Sequence, residues 1–577
     1  VDMKPVKNLK RHQFPVVLLS ALTLLLLRHI VRSPRTYGMA DTDNEGTLWW
    51  LWSKCNGYSS NGVLTRIGWP TGFDTRDFAT FNLVDELRAR AAGLGNCSAE
   101  SVVWVFAAFP VVALGLNLLA AYFVGWKVFG SRSWALILAM TGVATSQILL
   151  ATRTSLANNL LAPGLLALAF GFTYFDQRRQ KDAWLAAFCL CIQMLCNAYN
   201  GAMFLLVLLV LSLSWTKWSR RRELFVLPMT VLIGSLVGLF PLMRSQLFLI
   251  TNSSRRDLIR PVNLDAELVD PLVLFSRNYH WFTSVFGGRM PTPEAGWLSI
   301  FVLLLGLISV GSMFMRHVTH RTRRLVVGSF ASAALVVLIS CDVPGSRPLH
   351  SIYATFGSPF RGVSNYLKVV PLMLALGGLS ILKERLERRT VSHFMNSIVM
   401  SVLLMLSALN LWDSIPRSPT FRERTSLDEV SQFYRSLPGS GSESVTAHFP
   451  DYTYQPDWGL PLRFIQVAQM YTDNVIANGR DFRHRQSRFA SLPSPVSRTA
   501  LVALRRRGIT QIVLHRNLID PVTLDESIRF LESLGLRGVR YKGQSTASGP
   551  EINRGLDIIV FDIQPFNQTS SVWTLNY

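Results

Sequence analysis

Apolar stretches close to the length of a membrane-crossing helix recur eleven times along this 577-residue chain. They lie at 14–31, 101–125, 135–151, 157–175, 183–197, 201–215, 224–247, 297–315, 325–341, 365–382 and 395–412. Only 16% of the residues are charged, whereas soluble proteins have about 25%. Because so much of the chain avoids water, the sequence predicts an α-helical polytopic membrane protein with about 11 transmembrane helices.

Lysine and arginine are concentrated in every second connection between these stretches. They precede the first stretch and follow the second, fourth, sixth, eighth and tenth. The positive-inside rule therefore places these six segments, and the N-terminus, on the cytoplasmic side of a plasma (inner) membrane. This distribution also accounts for the net charge of +22, so we expect a membrane environment and no nucleic-acid partner.

The same topology places four segments on the periplasmic or extracellular side, at 32–100, 248–293, 343–362 and 414–577. The segment 248–293 carries Arg255, Arg256 and Arg260, which the positive-inside rule disfavours there. Either this part of the topology is wrong, or the arginines form a positive patch for an anionic ligand.

The last 164 residues are far less apolar than the rest and indicate a second domain. We predict a transmembrane domain at 1–413, with a long first external loop at 32–100, and an external domain at 414–577. Helix-like and strand-like stretches alternate in this tail, which is typical of a small soluble α/β domain. The helices are predicted at 427–437, 498–507 and 524–534, and the strands at 445–449, 509–515 and 556–563.

Two of the six cysteines, Cys55 and Cys97, lie in the first external loop. If the loop faces an oxidising compartment, they can form a disulfide. The alternative is two separate thiols, and the sequence favours neither. The other four cysteines lie in or beside apolar stretches, as expected of small buried residues.

An acidic cluster, Asp41, Asp43 and Glu45, directly precedes an aromatic segment in the first external loop. Thr42 and Glu45 fit a helix capping box, and carboxylates suit the first helical turn. The helix predicted from 47 to about 55 carries three tryptophans, a residue typical of membrane interfaces. Helix capping is therefore one interpretation of the acidic cluster. The alternative is a chemical role, because two aspartates are more than one cap needs and ionisable groups beside a membrane bundle often take part in chemistry.

The chain resembles the polytopic glycosyltransferases of the GT-C superfamily, in particular bacterial members that use polyprenyl-phosphate sugars. The resemblance depends on short motifs and on the overall layout. The motifs are at 41–43, 48–52, 69–74, 361–366, 476–479 and 512–515.

This resemblance implies sugar transfer from a polyprenyl-phosphate donor to a hydroxyl of a glycan, lipid or protein acceptor. It assigns Asp41 or Asp43 as the general base and Glu45 to substrate binding. A phosphate leaving group needs positive charge but no general acid. The candidate phosphate ligands are Arg153, Arg255, Arg256, Arg260, Arg361 and Lys368.

We expect no cofactor and no metal, because the second external turn, 152–156, lacks the acidic residue that metal-binding members of the superfamily usually add. Two other functions are compatible with the sequence. One is a catalytically inactive scaffold subunit of a membrane complex. The other is a lipid or glycan transporter, although the chain shows none of the paired halves common in transporters.

Overall fold

The computed structural model describes residues 6–32, 42–57, 59–60, 63–64, 73–74, 83–143, 160–215, 221–251, 298–313, 318–343, 363–388, 393–414, 433–435, 444–449, 469–470, 475–476, 492–516, 519–542 and 557–564. They belong to two compact units. The first comprises Val1–Arg28, Phe81–Val84 and Phe109–Ser418, and the second His29–Thr80, Asp85–Ala108 and Pro419–Tyr577.

Helices dominate the chain up to residue 414. They are α1 (Val6–Leu26), α2 (Arg28–Arg32), α3 (Thr42–Cys55), α4 (Leu83–Gly93), α5 (Ala99–Phe129), α6 (Arg132–Gly142), α7 (Ala162–Gln177), α8 (Gln180–Cys196), α9 (Ala198–Trp215), α10 (Arg221–Thr251), α11 (Ile300–Met313), α12 (His320–Ser340), α13 (Val370–Arg388) and α14 (His393–Ser414). A 3-10 helix, Val363–Val369, runs directly into α13. Each of the eleven predicted stretches overlaps one or more of these helices.

Four helical segments of the described residues are long and apolar enough to cross a membrane by themselves: Ala99–Phe129, Ala198–Trp215, His320–Ser340 and Tyr366–Arg388. Shorter apolar helices lie at His12–Leu26, Phe225–Pro241, Phe301–Met313 and Met395–Leu409. The helices support membrane insertion, whereas the number of about 11 spans stays a prediction.

Small residues allow the helices of the first unit to approach closely. Gly234 and Gly238 lie one turn apart on α10, against α8. A Cβ atom at Gly234 would come within 2.3 Å of the carbonyl oxygen of Ala187, and one at Gly238 within 2.6 Å of that of Cys191. Glycine is therefore required at both positions, as is typical of small-residue helix packing in membranes.

Basic side chains join several helix ends at one end of the first unit. Arg321, in the first turn of α12, contacts both carboxylate oxygens of Asp176 at the end of α7 and donates to the carbonyl of Val128 at the end of α5. Arg324 donates to the carbonyl of Trp215 at the end of α9. Cations at helix carboxyl ends are electrostatically favourable. The basic connections next to these helix ends therefore lie at the same end of the first unit, as the alternation of basic segments along the sequence predicts. The assignment of this end to the cytoplasm stays a prediction.

The tail forms a five-stranded mixed sheet in the second unit. Its strands are β4 (Val445–Phe449), β5 (Val475–Ile476), β6 (Gln511–His515), β7 (Gly538–Lys542) and β8 (Asp557–Asp562), in the order β5-β4-β6-β8-β7. The strands β5, β4 and β6 are parallel to one another. The strand β8 pairs with β6 in antiparallel orientation, and β7 pairs with β8 in antiparallel orientation. All three predicted strands are present, whereas β5 and β7 were not predicted.

Two helices, α15 (Arg498–Arg506) and α16 (Pro521–Ser533), belong to the same tail. Leucines of these helices and alternate apolar residues of β4, β6 and β8 form one buried core. The small α/β layer is therefore confirmed. Of the helix predicted at 427–437, only 433–435 lie within the described residues, and these three are helical.

The second unit also includes most of the first loop. Besides α3, this loop contributes a small antiparallel sheet of β1 (Ser59–Ser60), β2 (Val63–Leu64) and β3 (Phe73–Asp74). The predicted boundary at 413/414 divides the sequence differently from these units, and the two domains at 1–413 and 414–577 stay a prediction.

Candidate functional site

The acidic cluster lies at the start of α3. This helix begins at Thr42, five residues earlier than predicted, so Asp43 and Glu45 occupy its first turn as the capping box indicates. Asp41 lies outside the described residues. The helix dipole favours carboxylates at this position.

The body of α3 is buried in protein. Leu48 and Leu51 are inaccessible, and Trp49 and Trp52 are only 2% and 4% exposed. The interpretation of α3 as a helix whose tryptophans lie at a membrane interface is therefore wrong for Trp49 and Trp52. Sequence pattern alone does not distinguish an aromatic face packed in protein from one packed in lipid.

A buried hydrogen bond joins α3 to the tail within the second unit. The indole Nε1 of Trp49 donates to Oε1 of Gln469 over 2.7 Å. Both side chains are almost fully buried. Because a buried indole N–H is costly to leave without a partner, this bond holds the middle of α3 in one rotation about its axis.

The carboxyl end of α3 is fixed covalently. Cys55 forms a disulfide with Cys97, which settles the alternative left open by the sequence. Lys54 also forms an ion pair with Glu86 of α4. The helix that carries Asp43 and Glu45 is thus attached at its end as well as along its side.

Lys368 is the candidate phosphate ligand that the structure describes. It belongs to the 3-10 helix Val363–Val369, which packs against α9, α12 and α13. Its side chain is 2% exposed, and its neighbours Tyr366, Leu367 and Val369 are equally buried. Burial of a lysine is energetically costly, and buried cations in membrane helices commonly have a functional role.

The remaining candidate ligands, Arg153, Arg255, Arg256, Arg260 and Arg361, lie outside the described residues. Within the described part of the chain, no three histidine, cysteine, aspartate or glutamate side chains are close enough together to hold a metal ion.

Two buried amides that sequence reasoning missed position the start of α7. Oδ1 of Asn117 accepts a hydrogen bond from the backbone N–H of Leu161 over 2.8 Å. The side chain of Gln193 accepts from the N–H of Gly164 and donates to the carbonyl of Leu160. Both amides are inaccessible to solvent. Each amide lies inside a predicted apolar stretch, and this could have identified it from the sequence, because polar groups are buried only with hydrogen-bond partners.

A buried histidine pair was also missed. Nδ1 of His448 on β4 lies 3.0 Å from Nε2 of His515 on the adjacent strand β6, and the rings stack with centroids 5.3 Å apart. Burial, with a smaller contribution from His515, holds the pKa of His448 well below its usual value. The His448 ring is therefore neutral at pH 7, which suits one N–H···N hydrogen bond between the rings.

The chain is mostly helical, with apolar helices long enough to cross a membrane, and its fold is similar to that of a solved membrane glycosyltransferase structure. Neither a family model nor a curated protein matches the chain. Solved structures do match it.

The structure of the arabinofuranosyltransferase AftD from mycobacteria matches with a TM-score of 0.53 at 13% identity. The match covers 95% of this chain but only 40% of AftD, so the chain spans less than half of that protein. The structure of ArnT from Cupriavidus metallidurans bound to undecaprenyl phosphate matches with a TM-score of 0.42 at 12% identity, over 95% of this chain and 97% of ArnT.

Proposed function

We propose that this protein is a glycosyltransferase that moves a sugar from a polyprenyl-phosphate donor to an acceptor hydroxyl at the external membrane face. The observation that carries the proposal is the GT-C fold, which extends over 95% of the chain in the comparison with AftD. The acidic first turn of α3 supports it further, because this helix is held by a buried hydrogen bond and a disulfide.

The proposed reaction is a displacement at the anomeric carbon. The acceptor oxygen forms a bond to that carbon while the bond from the carbon to the phosphate oxygen breaks. The electron pair leaves with the lipid phosphate, and the proton of the acceptor hydroxyl passes to the carboxylate of Asp41 or Asp43. One base is enough because a phosphate leaves without protonation.

The proposed role of the cations is to stabilise the departing phosphate. Lys368 fits this role because its ammonium is held away from water, where a charge-assisted hydrogen bond is strongest. Arg153, Arg255, Arg256, Arg260 and Arg361 remain proposed ligands of the same phosphate, and Glu45 remains a proposed substrate-binding residue.

Replacement of the two aspartates tests the assignment of the base. We expect Asp41→Asn or Asp43→Asn, or both changes together, to lower the transfer of labelled sugar by about 10²- to 10⁴-fold, the usual contribution of a general base. Glu100→Gln is the matched control, since Glu100 is an exposed carboxylate of the same unit. Full transfer by the double variant would reduce the cluster to a helix cap.

A further inference from the structure

Three cations lie close to Asp557 at one edge of the tail sheet. Arg516 directly follows β6, and Arg540 and Lys542 belong to β7. The strands β6 and β7 run in the same direction, because both pair with β8 in antiparallel orientation. Asp557 is the first residue of β8 and lies opposite Lys542 in the register. The cluster therefore lies at the carboxyl ends of β6 and β7.

The carboxylate of Asp557 is bonded on both oxygens by Arg540. Nε and Nη2 of Arg540 donate to Oδ1 and Oδ2 of Asp557 over 3.0 and 2.8 Å. Two parallel hydrogen bonds of this kind are the preferred geometry between an arginine and a carboxylate. The pair neutralises one cation and leaves the charges of Arg516 and Lys542 in excess.

The guanidinium of Arg516 has no hydrogen-bond acceptor among the described residues. Its Nη1 lies 3.7 Å from Oδ2 of Asp557, which is too long for a hydrogen bond. Its Nε is buried without a hydrogen-bond partner, and a donor in this state is energetically costly. Because the side chain as a whole is 32% exposed, an acceptor from outside the protein can approach it.

The two excess cations flank Asp557 on the strands beside β8. The backbone N–H of Arg516 donates to the carbonyl of Asp557 over 3.0 Å, and Lys542 is the register partner on β7. Asp557 is in phase with Ile559 of the buried core, and its partners in register lie on the same face of the sheet. Since neighbouring strands are about 4.8 Å apart, the two backbones are roughly 10 Å apart, which two long basic side chains can span around one anion.

The strand order independently indicates a ligand at this edge. After β4 the chain continues to β5 at one side of the sheet, and after β6 it continues through α16 to β7 at the other side. The connections of these adjacent parallel strands thus diverge. In open α/β sheets, ligands bind outside the carboxyl ends of the strands at such a point.

The nearby carboxylate of Asp520 is used by the helix that follows. It accepts a hydrogen bond from the backbone N–H of Thr523 and caps α16. The positive end of the helix dipole offsets a carboxylate at this position. The edge of the sheet therefore keeps its excess of positive charge.

We propose that Arg516 and Lys542 form a binding site for a phosphate group at this edge of the tail sheet. The guanidinium of Arg516 donates two hydrogen bonds to phosphate oxygens, and the ammonium of Lys542 supplies the second charge. A phosphate monoester carries a charge of about −1.5 to −2 at pH 7, which the two cations match. The phosphate belongs either to a lipid headgroup or to a soluble ester. The proposal goes beyond sugar transfer and holds whether or not the protein is an enzyme.

Local hydrogen exchange tests this proposal on the full chain in a maltoside detergent, which contains no phosphate. We expect inorganic phosphate to slow exchange in the peptides that contain Arg516 and β7, relative to sodium chloride of equal ionic strength. The phosphate concentration that gives half of this protection measures the affinity of the site. Because the readout is local, phosphate bound elsewhere on the chain does not contribute to it.

Replacement of the arginine identifies the ligand. Arg516→Gln should raise the half-maximal phosphate concentration about tenfold to a hundredfold, the effect of losing one charge-assisted hydrogen bond. Arg506→Gln is the matched control and should leave this concentration unchanged. Arg506 is an exposed arginine at the end of α15, just before β6 begins, and so lies at the opposite edge of the sheet.

Protection by chloride equal to that by phosphate would overturn the proposal, as would equal half-maximal concentrations for the wild type and Arg516→Gln. Monodisperse elution and retention of the disulfide show that a variant is folded. If Arg516→Gln fails this criterion, Lys542→Gln is the second variant, because Lys542 is exposed, and it should raise the concentration several-fold.

Nanodiscs that contain phosphatidic acid distinguish the two sources of the phosphate. A lipid ligand would protect the same peptides before any phosphate is added, and Arg516→Gln would remove this protection. A soluble ligand would require added phosphate in nanodiscs as it does in detergent. Either result supports the site and assigns its ligand.

Discussion

At the scale of single residues, Lys368 is the position where burial and predicted function coincide. Burial of an ammonium group has a desolvation cost that the interactions of the group must offset. The side chain of Lys368 is 2% exposed. This cost is understandable if the charge is needed for a phosphate.

We therefore predict that Lys368→Met lowers transfer. Monodisperse elution in detergent is the criterion that the variant is folded. The transfer efficiency kcat/KM for the lipid donor should fall about tenfold to a hundredfold, the equivalent of one charge-assisted hydrogen bond of about 1.5–3 kcal/mol. Lys368→Arg, which keeps the charge, is the control and should retain more activity. Unchanged kcat/KM in Lys368→Met would remove the residue from the site.

The histidine pair makes a second prediction at this scale, and it concerns pH. The pKa of His448 is lowered in the folded domain from an ordinary value near 6.5. The unfolded chain therefore binds more protons than the folded one as the pH falls below about 6.5, and the domain loses stability in that range.

Hydrogen exchange of the β4 and β6 amides between pH 7.5 and pH 5 measures this effect locally, once corrected for the intrinsic pH dependence of exchange. We expect protection to decrease toward pH 5 in the wild type and to stay constant in His448→Leu. A local measurement is needed because Asp85, whose pKa is raised by burial, contributes stability with the opposite pH dependence. Equal pH profiles for the two proteins would contradict the prediction.

At the scale of elements, α3 depends on connections to other parts of the second unit. Its side is held by the bond from Trp49 to Gln469 and its end by the disulfide. The disulfide closes a loop with a sequence separation of 42 residues, and such cross-links typically contribute about 2–5 kcal/mol. The acidic first turn is thus part of a pre-organised helix rather than of a free loop.

Reduction of this disulfide should lower stability and transfer together. We expect dithiothreitol to lower the melting temperature and the transfer rate of the wild type, and to have no further effect on Cys55→Ser. Cys191→Ser is the control, because Cys191 is a free thiol and its replacement should leave the sensitivity to reductant intact. An unchanged melting temperature in Cys55→Ser would show that the cross-link is dispensable.

At the scale of the whole molecule, the sequence predicts what depends on local pattern. The apolar stretches predict the helices because length and hydropathy are local properties, and Thr42 with Glu45 indicates the cap of α3, although the helix was predicted to begin only at 47. The burial of Trp49 and Trp52 depends on tertiary contacts, such as the one with Gln469, that no local pattern contains. The strand β7 was missed because its residues are largely exposed and lack the alternation of a half-buried strand. The arginines of the 248–293 segment lie outside the described residues, so their role stays a prediction.

The division of the chain into two units also depends on tertiary contacts that no local pattern contains. A boundary at 413/414 follows a change in composition, whereas the first loop joins the tail through contacts between residues far apart in sequence. Such long-range pairing is the part of a fold that composition does not predict.

The central claim is that this chain transfers sugar from a lipid phosphate. The most direct measurement incubates the purified wild type in nanodiscs with a panel of polyprenyl-phosphate pentoses and hexoses and an acceptor extract, and quantifies released polyprenyl phosphate by mass spectrometry. We predict one polyprenyl phosphate released per sugar transferred by the wild type, and loss of release in the double variant Asp41→Asn, Asp43→Asn. Release that is absent across the whole panel from folded wild-type protein, or that is equal in the double variant, would contradict the claim.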